Sequence, residues 1–213
     1  NYKKSIFERN KILKNTSYDP DWITNIEKNI VNSGIQIYEK RLNQISLINS
    51  NLMKLENLEK SFYKINFSLY DEFLLNKDIN PNLLYDEYLN KLKHNRNIDT
   101  IIGGSKIGPH KSDIVGYKIE DNFNINQLST GQQKTVVLLI IIAQSKFIIN
   151  DLNKNPIIIF DEVCSHLDTN NRTLLLDLIE LLKVQIFMSG TEKKFFSFLS
   201  TNTNYCNINN KYE

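Results

Sequence analysis

Apolar positions in the first half of the chain recur with helical spacing. Residues 6–14 form a short amphipathic stretch, and Asp19-Pro20 offers an N-cap followed by proline at the first helical position, where its missing N–H costs nothing. From Trp22 the apolar residues run through Ile23, Ile26, Ile30, Ile37, Tyr38, Leu42, Ile45, Ile48, Leu52, Leu55, Leu58 and Phe62. The later members fall at intervals of three and four, close to a heptad seam, which predicts a long helix packed against its neighbours. Gly34 interrupts the stripe and predicts a bend or break. Ile65, Phe67 and Leu69 alternate as a half-buried strand does, and Asn80-Pro81 opens a further helix with Leu84, Tyr88 and Leu92 on one face.

Near residue 96 the pattern changes. Glycines cluster (Gly103, Gly104, Gly108, Gly116), and short strand-like runs appear at 100–102 and 114–119. Residues 126–130 read as a loop leading into a helix from 131 to about 149. The run 157–160 after Pro156 reads as a buried parallel strand ending at two carboxylates. A helix over about 170–182, a strand at 185–188, a helix at 192–199 and an edge strand around Tyr205 complete the expectation. The predicted fold class is α/β. Residues 1–96 form a mostly helical arm or lid, and residues 97–213 form an α/β lobe.

Length and composition narrow the class. The chain's 213 residues suffice for one substantial domain or two small ones. With 41% hydrophobic and 23% charged residues it is neither collagen-like nor wholly disordered. The longest unbroken apolar run, 136–143, falls far short of the ~18–20 residues that span a bilayer, so no membrane partner is expected. Cys164 and Cys206 cannot build a disulfide framework, which points to a reducing, cytoplasmic location. No signal or transit peptide opens the chain, and its start at Asn1 instead of Met leads us to expect part of a longer protein. Net charge is only +2. The many lysines accompany abundant Asn and Ile, as in AT-rich coding sequences, so nucleic-acid binding cannot be read from the lysine count.

Chemistry concentrates in three segments. Ile157-Ile158-Ile159-Phe160-Asp161-Glu162 has the form of a nucleotide triphosphatase strand that ends at its metal site. A buried strand holds Asp161 rigidly enough to orient Mg²⁺ through water, and Glu162 beside it is placed to polarise an attacking water. The bland alternative is a buried strand ending in acids at a turn. Leu128-Ser129-Thr130-Gly131-Gln132-Gln133 opens a helix whose free N–H groups suit phosphate, and Ser129 and Gln132 also fit a capping box. Asp168 in Ser165-His166-Leu167-Asp168 either caps the following helix or reaches a partner's nucleotide. Signature, acid-tipped strand and Ser-x-Leu-Asp loop, in that order, are the layout of an ABC-type ATPase head. Cys164 and His166 are too few for a zinc site, and Cys164 reads as a packing residue.

With Gly108-Pro109-His110-Lys111-Ser112-Asp113 ahead of the signature and Gln185-Ile186-Phe187-Met188-Ser189-Gly190-Thr191-Glu192 after the acids, the chain resembles the C-terminal part of the RecF family, recombination-mediator ATPases related to the SMC heads. Arg9-Asn10-Lys11-Ile12-Leu13-Lys14 and the helix from Trp22 sit where that family's helical arm begins, so the resemblance spans nearly the whole chain. It implies that Ser129, Thr130, Gly131 and Gln132 contact the γ-phosphate of ATP bound on the opposite subunit. It also implies that Asp161 orients Mg²⁺, that Glu162 is the catalytic base and that Asp168 faces the dimer. An ATP-dependent homodimer, DNA at single-strand/double-strand junctions, RecO- and RecR-type partners and the loading of RecA are implied with it.

The chain departs from the family in places. Thr130 replaces the glycine of many transporters, Lys111 stands where the family has arginine, and Ser189 and Thr191 stand where many ABC enzymes carry a switch histidine. No G-x-x-x-x-G-K-[ST] occurs, and Gly103-Gly104-Ser105-Lys106 has the wrong spacing for one. The chain alone is therefore expected neither to bind ATP with normal affinity nor to hydrolyse it. Another SMC-like ABC head, or a non-enzymatic interaction module, are the alternatives.

Overall fold

The computed structural model describes residues 1–15, 17–56, 64–75, 81–167, 169–180, 182–199 and 203–208. They fall into two compact units, one of residues 1–50 with 65–124, the other of residues 51–64 with 125–213.

The first unit is built on helices α1 (Tyr2–Leu13), α3 (Pro81–His94), α4 (Arg96–Ile102) and residues 20–50 of α2 (Pro20–Glu56). Asp19 caps α2 as its sequence predicts: Oδ1 accepts from the backbone N–H of Asp21 (2.8 Å) and of Trp22 (3.4 Å). Ile23, Ile26, Ile30, Val31, Ile35 and Tyr38 of α2 pack with Leu84, Tyr88 and Leu92 of α3 and with Tyr2, Ile12 and Leu13 of α1. Trp22 stays half exposed, so the buried stripe begins one residue later than its spacing suggests. Leu58 and Phe62 lie outside the described residues.

Gly34 does not break α2, which is continuous from Pro20 to Glu56. A Cβ there would lie 2.9 Å from the Tyr88 ring and 3.4 Å from the Tyr2 ring, so the glycine serves close packing of two aromatic side chains. The β-branched run at 100–102 is the end of helix α4 and not a strand; Gly103, at φ +84°, terminates it in the left-handed region.

A buried charge cluster holds these helices together. The Arg9 guanidinium donates to Glu27 Oε1 (3.0 Å), Asp99 Oδ2 (2.6 Å) and the Leu92 carbonyl (2.6 Å). Arg96 donates to both oxygens of Glu27, at 3.0 and 2.6 Å. Burial pushes the Asp99 carboxyl above its ordinary value, while the Arg9 guanidinium acts in the opposite direction.

Strands β1 (Ile65–Tyr70) and β2 (Asp113–Lys118) pair antiparallel, with Phe67 opposite Gly116. The composition changes at residue 96, yet residues 97–124 belong to the first unit. The reason lies in Asp99, bonded to Arg9, and in the pairing of β2 with β1.

The second unit holds α5 (Thr130–Asn150), β3 (Ile158–Phe160), α6 (Thr169–Glu180) and β4 (Ile186–Met188). Val136, Leu138, Leu139, Ile142 and Ala143 of α5 are buried, and Thr135 Oγ1 donates to Asn171 Oδ1 of α6 at 2.9 Å. By length and composition alone α5 is long and apolar enough to cross a bilayer, a test that buried core helices also pass.

β3 and β4 pair in parallel, Ile159 opposite Phe187. The run 157–160 is not buried on both sides: Ile158 and Phe160 are buried, whereas Ile157, Ile159 (75% exposed) and Phe187 (52% exposed) are open. Among the described residues, only one face of this sheet is packed. The helix expected at 192–199 is a 3-10 turn, Lys193–Phe196, and residues 203–208 around Tyr205 form no strand.

Candidate functional site

Two groups of residues in the second unit carry the chemistry. The first opens α5. Ser129 has extended backbone angles (φ −60°, ψ 156°) and forms a reciprocal capping box: its Oγ accepts from the Gln132 N–H (3.4 Å), and its N–H donates to Gln132 Oε1 (3.0 Å). Ser129 and Thr130 are exposed. The Ser129 hydroxyl proton finds no acceptor among the described residues. Gly131 follows at the second helical position, where an added Cβ would meet nothing within 4 Å. Packing within the chain therefore does not demand a glycine here. Exposed N–H groups, the positive end of a 21-residue helix and a free hydroxyl donor form an opening suited to an anion.

The second group ends β3. The parallel ladder continues one residue beyond the strands, the Ser189 N–H donating to the Phe160 carbonyl at 2.9 Å. That register sets the Ser189 hydroxyl between the two acids. It donates to Asp161 Oδ1 and accepts from the Glu162 N–H (3.1 Å). Asp161 and Glu162 are both exposed. Glu162 adopts the left-handed region, φ 47° and ψ 27°, an uncommon conformation for a residue with a side chain and one that recurs at functional turns.

Ser189 was legible only as the residue in a switch position. Its hold on both acids follows from the β3–β4 register, which the sequence does not state. The usable signal is a serine directly after an apolar strand, placed to pair with the end of an acid-tipped one.

The two groups are each internally tied, and Ser129 makes no hydrogen bond to Asp161. Asp168 lies outside the described residues, as do the side chains of Ser165 and His166. Cys164 is buried, and burial pushes its thiol up. Among the described residues no group of three His, Cys, Asp or Glu side chains gathers. A divalent ion here would draw its donors from Asp161, from water and from a nucleotide's phosphates. Hard carboxylate oxygen with open positions fits Mg²⁺, which prefers one or two carboxylates with phosphate over a closed protein cage.

No family model matches the chain. It is 30% identical over 208 residues to the DNA replication and repair protein RecF of Agrobacterium fabrum (strain C58 / ATCC 33970), covering 97% of this chain and 55% of that protein. It is 29% identical over the same length to the RecF of Rhizobium etli (strain CIAT 652), with the same coverage. The chain thus spans about half the length of the curated relatives it matches. Among solved structures it is similar to the recombination mediator protein RecF with ATP in the RecFOR pathway, with TM-score 0.73 and 19% identity over 90% of this chain and 52% of that one. The matching RecF–ATPrS structure gives 0.72. The resemblance to RecF therefore holds along nearly the whole chain, and its α/β fold is that of the solved RecF structure.

Proposed function

We propose that this chain serves an ATP-dependent, DNA-binding recombination mediator of the RecF kind, in DNA replication and repair at single-strand gaps. Two protomers close on ATP. Ser129, Thr130, Gly131 and Gln132 of one meet the γ-phosphate bound by the other, and Asp168 faces the partner. DNA at single-strand/double-strand junctions, RecO- and RecR-type partners, help in loading RecA and a cytoplasmic location belong to the same reading. Its support is the similarity to RecF proteins over 97% of the chain.

The observation that carries the nucleotide part is the opening of α5. Gly131 has open space where a Cβ would stand, Ser129 two residues earlier has a hydroxyl proton with no acceptor among the described residues, and packing among those residues requires neither feature. A phosphate brought by another subunit supplies the reason for both. Asp161 would hold Mg²⁺ through water, and the ion would supply charge neutralisation at the phosphate oxygens. Ser189 occupies one Asp161 oxygen and steadies the Glu162 backbone. Glu162 accepts the proton of the attacking water.

The test uses the protein expressed from its complete reading frame. Glu162→Gln is expected to prolong the ATP-bound dimer on sizing chromatography; an unchanged dimer lifetime removes Glu162 as the base. Gly131→Ala is expected to leave the helix intact, because the added methyl meets nothing, while abolishing ATP-dependent dimerisation.

A further inference from the structure

The motif Gly108-Pro109-His110-Lys111 is not used by the nucleotide chemistry above. Its Pro109 and His110 line a cavity of about 620 Å³ in the first unit, together with Tyr2, Lys3, Gln36, Lys40 and Arg41 among others. Three elements meet there: the first turn of α1, the middle of α2 and the turn after α4. Gln36, Lys40 and Arg41 lie four and five residues apart and share one face of α2.

The wall is rigid and specific in its chemistry. Gly108 has φ +119°, and a Cβ on it would fall 2.0 Å from the Tyr88 hydroxyl and 2.4 Å from that of Tyr2, so only glycine fits. Arg41 Nη1 donates to the Pro109 carbonyl and to the Ser112 hydroxyl. His110 Nε2 lies 2.9 Å from the Ser105 carbonyl, which can only accept, so the neutral ring carries its proton there. Nδ1 then accepts from the Tyr2 hydroxyl at 2.8 Å, and Tyr2 accepts from Tyr88 at 3.0 Å. Burial pushes the Tyr2 hydroxyl up to about 12, which keeps it a donor.

Every charged side chain lining the cavity is cationic: Lys3, Lys40 and Arg41 have no carboxylate partner among the described residues. Arg41 uses one nitrogen for the turn, and its other three N–H donors are unclaimed among the described residues. Asp71, the acid felt electrostatically at Tyr2, is buried and committed to the Tyr38 hydroxyl (2.7 Å) and the Phe73 N–H (2.8 Å). Uncompensated positive charge in a concave, low-dielectric wall concentrates anions, and a guanidinium fork with two mobile ammoniums matches phosphate oxygens.

We propose that this cavity binds a phosphodiester group of the DNA backbone. The inference rests on the DNA-binding reading given above and adds the surface that makes the contact. Because phosphate contacts carry no sequence information, the site positions DNA without selecting its sequence.

The test is a salt titration of binding to a labelled gapped duplex, with ATP, by the complete protein and its Lys3→Gln/Lys40→Gln variant. Both lysines are exposed, so the fold is retained. Each phosphate contact removed should make the plot of log affinity against log salt shallower by about 0.9, so the double variant loses about 1.8 in slope. Lys154→Gln, exposed on the second unit, should leave the slope unchanged. ATP-dependent dimerisation should be unaffected in all three proteins. DNA binding with an unchanged slope in the double variant overturns the site and leaves the ATP-driven dimer standing. Failure of the unaltered protein to bind DNA overturns the site together with the DNA reading. An Asp/Glu-rich peptide that displaces DNA where inorganic pyrophosphate does not also overturns it, since the occupant is then an acidic protein segment.

Discussion

Each unit of this molecule owns a pair of carboxylates, and the pairs live under opposite conditions. Glu27 and Asp99 in the first unit are buried and faced by arginines: Arg9 and Arg96 both bond Glu27, and Arg9 bonds Asp99, at 2.6–3.0 Å. Asp161 and Glu162 in the second are exposed at the end of a short strand, with a serine hydroxyl between them. The first pair is buried against arginines, and its work is to fix helices. The second pair stays open to solvent, with the Ser189 hydroxyl on Asp161 and on the Glu162 N–H. Acid pairs are thus told apart by what already satisfies them, more than by their place in the sequence.

The contrast can be broken most forcefully at Arg9. Arg9→Ala strands Asp99 in the interior, while Glu27 keeps Arg96, and should cost about 3–5 kcal/mol in urea unfolding, the penalty of an uncompensated buried charge. Asp161→Asn, on the exposed pair, should stay within about 0.5 kcal/mol of the parent. Equal costs would dissolve the distinction. Next in size is the helix opening. Ser129→Ala removes a capping box and should cost about 1 kcal/mol, while Ser129→Thr should restore most of it. Gly131→Ala should be neutral or stabilising by up to about 1 kcal/mol, since it replaces glycine in a first helical turn without a clash. Loss of dimerisation in that variant would then reflect lost nucleotide contact and not lost fold. The smallest effect sharpens the strand end: Glu162→Gly should be more stable than Glu162→Ala by about 1 kcal/mol, because only glycine adopts φ 47° without cost.

Local rules made some of this legible in the sequence. The cap at Asp19, the capping box at Ser129 and the acid-tipped strand are short-range events, and each appears where its residues place it. Long-range partners defeated the same rules elsewhere. Gly34 reads as a helix breaker until Tyr88 and Tyr2 are seen packed against it. Residues 100–102 read as strand by β-branching, yet the Arg9–Asp99 contact and the Gly103 stop belong to a helix. The run 157–160 reads as buried because parallel strands usually are, but among the described residues the packing covers one side only. The cation-lined cavity needed three elements distant in sequence, which no periodicity reveals.

The uncovered side of the β3–β4 sheet has a practical consequence. Ile157, Ile159 and Phe187 form a greasy strip on a short parallel ribbon, the sort of surface by which polypeptides cling to one another. Purified by itself, this chain should cluster in a concentration-dependent way that light scattering can follow. A single lysine introduced in place of Ile159 should keep it dispersed.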